Sequence, residues 1–495
     1  MEVIPIPATD QQKPINNIRT RTFFIIDTRL EESTLQSSLD DLIRNHWRKL
    51  GGRLAKNSKN GLLEYRVPKA FADDKEYKLF EWSCTQFESG IDKSAPLAFF
   101  HDPPAAEKGA TLLHSVQEVD ELVRPATWPD EIKDDPVAPL LFVHLSLFTD
   151  ASVVALSVPH TVADQMGVGN IMRAWFGLAY HNKTPPEMTG YTGDILATSA
   201  KKYTDWPKHE IYRKGLSRVR NKFEYFFVVL GFVPELVLNK KEDSHIVFFP
   251  RPMLERLRER YTTELKEEYG DDPGLSLGDV INAILTKVSH TPRVNWALLM
   301  GRQFHRIGNK KSRTITLSQL VNLRNKHTSL PPSKSSTYIH NGIHYVSSRF
   351  LITPSTSARE IAYKNRQAIT TQSSSQSYEI GLAVMREQVR RGQGTHICEP
   401  FEWSYFVTNW CLAWKGLDLF PTTATDTGDS EKEGEGAEKR IMVLGRSKEK
   451  DMPGRFTGIV MCQTEEGYWC EFAAPEKRIR LIEEHLRRDP MLEDF

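Results

Sequence analysis

The sequence predicts an α/β protein built as two halves, and three observations carry that expectation. The chain has 495 residues, more than one ordinary hydrophobic core supports. Apolar residues recur with strand period in some segments and with helix period in others, in both halves. Residues 183–222 are rich in polar, Pro and Gly positions and read as a long surface crossover between the halves. A hydrophobic share of 39% beside 26% charged residues suits a soluble globular chain.

In the first half, Leu35, Leu39, Leu42, Ile43 and Trp47 share a helical face. That helix ends into Leu50-Gly51-Gly52-Arg53-Leu54, whose glycines permit a tight exit into a strand at 62–67. Residues 140–148 and 153–158 read as strands joined by a turn at Thr149-Asp150. Pro159 removes a backbone donor and ends the ladder. Val168, Ile171, Met172, Trp175, Phe176 and Ala179 then recur at helical spacing. Residues 225–233 are the longest apolar run, preceded by Arg218, Arg220 and Lys222 and expected to stop at Pro234. Two readings stay open there. It is a buried helix or domain crossover, or it is a patch that touches a membrane or covers the mouth of an active site.

The second half opens with a strand at 246–250 and a helix carrying Met253, Leu254 and Leu257. Ser276 and Asp279 form a capping-box pattern ahead of Val280, Ile281, Ile284, Leu285 and Val288. Strands follow at 314–321, 343–345 and 406–407. Residues 422–439 hold almost no large apolar side chain and read as a mobile acidic surface loop. The last strands are at 441–444, 459–463 and 468–472, with Glu465-Glu466-Gly467 as a hairpin turn. Ile479, Leu481, Ile482 and Leu486 mark a C-terminal helix.

Composition excludes several function classes. Formal net charge is +1, from 65 basic and 64 acidic residues, which gives no footprint for nucleic acid. The N-terminus lacks a basic region followed by an apolar core, so no signal peptide is expected. No run of about 18 apolar residues occurs, so no spanning helix is expected. Five cysteines with no CxxC spacing fit a reducing cytoplasm rather than a disulfide framework. His396-Ile397-Cys398 lacks partners at ligand spacing, and no metal is expected.

The most informative stretch is His160-Thr161-Val162-Ala163-Asp164. It lies where a strand pattern breaks and a helix pattern begins, a corner at which side chains face a cleft rather than a core. A histidine there can remove a proton from an alcohol or amine near neutral pH. The stretch resembles the His-x-x-x-Asp motif of the BAHD acyltransferases, especially their divergent fungal members. Further blocks come in that family's order. Lys49-Leu50-Gly51-Gly52-Arg53-Leu54 is similar to its early block, and Ser276-Leu277-Gly278-Asp279-Val280-Ile281-Asn282-Ala283 to its second-half helix. Val321-Asn322-Leu323-Arg324, Pro331-Pro332 and Tyr338-Ile339-His340-Asn341-Gly342 resemble its mid-chain block, and Val407-Thr408-Asn409-Trp410 its Thr-Ser/Asn-Trp block.

Three departures stand out. Pro159-His160 replaces the family's His-His, and Asp164-Gln165 its Asp-Gly. The Asp-Phe-Gly-Trp-Gly block is reduced to Gly416-Leu417-Asp418-Leu419-Phe420-Pro421, where Asp418 is the best candidate for the aspartate.

The resemblance implies two chloramphenicol-acetyltransferase-like domains of mixed sheet and helices with a channel between them. The expected division is 1–200, a crossover at 201–240, and 241–495. It further implies transfer of an acyl group, other than an amino-acyl group, from acyl-CoA to the oxygen (or nitrogen) of a small hydroxylated fungal secondary metabolite. Acyl-CoA is then a co-substrate, with no cofactor bound permanently, and the protein a cytoplasmic monomer. His160 would be the base. Asp164 either holds the imidazole or forms a buried ion pair, and the resemblance favours the pair, with Arg324 as partner. Thr408, Asn409 and Trp410 would supply the oxyanion donor or line the substrate site, although Trp410 can equally be packed against Trp403 and Trp414. No serine sits in a Gly-x-Ser-x-Gly elbow, so direct attack is simplest. Two other readings remain: a CoA-independent cyclisation or transesterification on the same fold, and a non-catalytic small-molecule binding protein.

Overall fold

A computed structural model describes residues 1–71, 77–197, 201–290, 312–422, 439–447, 449–450 and 452–495. The architecture is mixed α/β, with three sheets among the described residues. Most of the acidic stretch expected as a loop at 422–439 lies outside the described residues.

A five-stranded sheet runs in the order Ile441–Arg446, Arg19–Ile26, Ser152–Pro159, Phe142–Leu147, Glu81–Gln86. Its first three pairings are antiparallel and the last is parallel. A seven-stranded sheet runs Ile343–Ile352, Arg313–Asn322, Trp403–Asn409, Thr457–Gln463, Gly467–Pro475, Glu242–Pro250, Thr111–Leu112. Trp403–Asn409 is parallel to both of its neighbours. A small antiparallel sheet joins Glu2–Pro5, Leu63–Val67 and Arg53–Lys56.

Neither large sheet is made from one half of the chain. Ile441–Arg446 pairs with Arg19–Ile26, in register Gly445 to Thr22, and so completes the first sheet from far along the sequence. Thr111–Leu112 goes the other way and pairs with Glu242–Pro250. The main core also crosses between halves: Ile459, Met461 and Trp469 join the cluster built on Phe23, Val154 and Trp175, while Val460 and Cys470 point into the second-half core. Strand alternation thus lets one sheet serve two cores.

Two features of the crossover differ from the expectation. The helix over 225–233 does not stop at Pro234 but runs Lys222–Leu238. Proline costs one backbone donor and crowds the preceding turn; here the flanking contacts hold the helix through it, with Phe232 against Phe456 and Glu235 beside Arg455. Nor is the helix buried: only Val228 is. The capping box at Ser276 is present, with Asp279 N–H donating to Ser276 Oγ and Ser276 N–H to Asp279 Oδ2.

Candidate active site

His160 lies one residue beyond the strand Ser152–Pro159, in a turn that leads into the helix Gln165–His181. Its backbone N–H donates to Ile18 O at 2.9 Å. Its carbonyl accepts from Asn341 Nδ2 at 2.8 Å. The same Asn341 amide donates to Asp10 Oδ1, and the Asn341 backbone N–H reaches that oxygen at 2.9 Å. Thr161 Oγ1 donates to Asp10 O at 2.7 Å. The corner is therefore held from two distant parts of the chain, the N-terminal segment and the loop at Asn341.

His160 as a residue keeps partial exposure, although ring Nδ1 is buried. Nδ1 is buried with no side-chain partner, and among the described residues nothing bonds to Nε2. Burial pushes the ring pKa below 6.5, while its own backbone carbonyl, Asp164 and Asp10 pull the other way. The ring is thus neutral at pH 7, the form that accepts a proton.

Asp164 faces away from this work. Its two oxygens take a fork from Arg324, at 2.8 and 2.9 Å. They also accept from Gly167 N–H at 2.8 Å, as the helix N-cap, and from Gly342 N–H at 3.0 Å. Arg324 also donates to Asn322 Oδ1, Tyr338 O and His340 O. Four bonds saturate the carboxylate, so it positions backbone rather than imidazole. Gly167 matters to this seat: a Cβ there would stand 1.9 Å from Ile339 O, so only glycine lets the helix start touch the loop from the other half. Asn170 Nδ2 adds bonds to Ser335 O and Tyr338 O.

Among the described residues, no hydrogen bond or ion pair joins the other predicted residues to this cluster. Thr408 is partly exposed near the end of the parallel strand Trp403–Asn409, and its hydroxyl is unengaged among the described residues. Asn409 uses Oδ1 on Cys411 N–H. Trp410 is buried in the main core, its ring edge beside Gly445. Trp403 instead stacks on Arg313, and Trp414 packs on Phe24. Asp418 sits at the surface, 3.5 Å from His181 at the far end of the helix. A separate apolar cavity of about 320 Å³, lined by residues such as Val247, Ile284, Ile482 and Phe495, holds none of these residues.

No protein-family model matches the chain. It is 30% identical over 305 residues to the Transcriptional regulator calD of Penicillium decumbens, covering 59% of this chain and 58% of that one. It is 26% identical over 291 residues to Acetyltransferase pyiB of Pyricularia grisea, covering 57% and 55%. It is 27% identical over 330 residues to Acetyltransferase adrJ of Penicillium rubens, covering 64% and 60%. The chain therefore matches less than two thirds of the length of these relatives. The crystal structure of TRI101 from F. sporotrichioides, complexed with coenzyme A and T-2, superposes with TM-score 0.62 at 12% identity, covering 98% and 97% of the two chains. Vinorine synthase superposes with TM-score 0.58 at 12% identity, covering 97% and 92%. The fold is the two-domain chloramphenicol-acetyltransferase-like one. In sequence the chain is similar to fungal acetyltransferases, and in fold to TRI101 and vinorine synthase.

The site holds more than the His160–Asp164 motif reveals. Asp10, Lys49 and His340 form a buried polar cluster behind His160, with Asn341 as the link. Lys49 Nζ lies 3.2 Å from His340 Nε2 and 2.9 Å from Gly190 O. Burial pushes Lys49 down to about 7, against the pull of Asp10 and Glu2. Burial, then the Lys49 charge, lowers His340 as well. Lys49 in the early motif block and His340 with Asn341 in the mid-chain block were the available signals for this cluster.

Proposed function

We propose that the chain moves an acyl group from acyl-CoA to a hydroxyl, or an amine, of a small hydroxylated secondary metabolite, with His160 as general base. The observation that carries the reading is the corner itself: a partly exposed histidine whose Nε2 is unengaged among the described residues, its backbone fixed by Asn341, and its nearby carboxylate committed to Arg324. The acceptor attacks the thioester carbonyl as its proton passes to Nε2. Collapse of the tetrahedral adduct breaks the C–S bond, and the ring returns the proton to the CoA thiolate. A positioned base contributes roughly 100–10,000-fold.

Of the three oxyanion candidates, Thr408 and Asn409 keep donors unengaged among the described residues, the Thr408 hydroxyl and the Asn409 Nδ2 amide, whereas Trp410 is buried. Residues 1–200 and 241–495 act as the two lobes, each lending a strand to the other's sheet, and 201–240 as their crossover. Acyl-CoA comes as co-substrate, and the protein works as a cytoplasmic monomer. The acetyltransferase names of two relatives, and the coenzyme A bound to TRI101, support the reading.

The test is thiol release from acetyl-CoA with and without hydroxylated acceptors. His160→Ala is expected to lose at least about 100-fold in kcat with an unchanged melting temperature; full activity in that variant would remove the reading. The reduced block at 416–421 favours a second reading, cyclisation or transesterification without CoA, which product formation in the absence of any thioester would establish. The regulator name of one relative favours a binding role instead, which ligand affinity and biological output unaltered by His160→Ala would establish.

A further inference from the structure

The helix Lys222–Leu238 is built the wrong way round for a protein in water. Its two carboxylates face inward: Glu224 pairs with Arg218 at 2.7 Å, and Glu235 lies 3.5 Å from Arg455. The inward side is also closely seated. A Cβ at Gly231 would stand 2.9 Å from Phe401 Cα, Phe232 meets Phe456, and the Tyr225 ring lies against His396. The outward side carries Phe223 (75% exposed), Phe226 (59%), Val229, Leu230, Val233, Val237 and Leu238 (79%). A helix this apolar is ordinarily covered, and a contiguous apolar patch beyond a few hundred Å² marks a surface of interaction.

We propose that this helix is a docking element that lies in the surface of an anionic lipid bilayer. The charges at its ends select that occupant. Lys222 stands exposed at one end and Lys240 and Lys241 at the other, none with a carboxylate partner among the described residues. The two ends are separated by 17 residues of helix, about 25 Å at 1.5 Å per residue. That layout puts cations at headgroup level on both sides of an apolar middle, the pattern of an interfacial helix. A second copy packed on the same face about a two-fold axis would bring Lys222 of one chain toward Lys240 and Lys241 of the other, and like charges would oppose it. Among the described residues no helix is long and apolar enough to cross a membrane, so this one lies on the surface. The assignment is independent of the chemistry at His160.

Vesicle co-sedimentation of the full chain tests it. Wild type is expected to pellet with phosphatidylcholine vesicles containing about 30% phosphatidylserine and to bind pure phosphatidylcholine at least tenfold more weakly, with salt weakening the first. Phe226→Glu with Leu230→Glu should abolish pelleting, and Lys240→Glu with Lys241→Glu should reduce it to the level of the neutral vesicles, both with wild-type circular dichroism and catalytic activity. Equal pelleting of wild type and both variants would overturn the proposal. So would absent vesicle binding accompanied by a dimer that the apolar-face variant dissolves.

Discussion

Two helices of 17 residues each, Gln165–His181 and Lys222–Leu238, are both rich in large apolar side chains and have opposite fates. The first follows a strand and folds back over its own sheet. Ile171, Met172, Trp175 and Phe176 are buried, and the Trp175 indole donates to Leu35 O and Ser38 Oγ. Its polar residues near the N-terminal end are satisfied too, Gln165 by Thr22 and Asn170 by Ser335 O and Tyr338 O of the other half. The second lies in the crossover, where only its carboxylate-bearing side meets protein. Apolar composition therefore does not decide burial; what decides it is whether the chain's route brings another apolar surface to the helix.

The contrast can be broken or sharpened by measurement, beginning with the largest effect. Asp164→Ala should cost about 3–5 kcal/mol, because it leaves the Arg324 guanidinium buried and two backbone donors unpaired. Denaturant unfolding measures it, and a loss below 1 kcal/mol would mean the helix start does not depend on the ion pair. Ile171→Ala should cost about 2–5 kcal/mol by emptying a fully buried position.

Acid pH comes next. Burial pushes His344 and His396 down to about 4, the second helped by Arg220. Unfolded histidines titrate near 6.5, so the unfolded chain binds protons first. Stability should fall as pH drops from about 6.5 toward 4 and level off once the folded rings are charged. Since the His396 ring supports Tyr225, protection of the crossover helix from hydrogen exchange should fall along the same limb. A flat profile would show those rings to be hydrated in solution. The smallest effect belongs to Leu230→Ala on the outer face, expected to change stability by less than about 0.5 kcal/mol. A loss as large as that of Ile171→Ala would show the patch to be covered within the protein itself.

Much of the first lobe was legible because its elements are local. The strands around Thr149-Asp150 and the helix after Asp164 follow from period and turn chemistry over some forty residues or fewer. The Asp164–Arg324 pair came from motif order, since nothing local joins two residues so far apart in sequence. What stayed hidden is what depends on distant partners. No pattern within residues 441–446 says that they pair with residues 19–26, and none gathers Asp10, Lys49 and His340. Pro234 misled for a related reason: its local cost is real, but contacts from 455–456 hold the helix through it.

The strand Ile441–Arg446 has a consequence for how the protein is made. The sheet begun at Arg19 keeps a bare flank until that strand leaves the ribosome, about 400 residues later in translation. At roughly 5–20 residues per second that delay is on the order of a minute or less, during which unpaired amides and carbonyls along Arg19–Ile26 invite pairing with other nascent chains. Expression at lower temperature or with more holding chaperone should raise soluble yield, and separate expression of either lobe should fail.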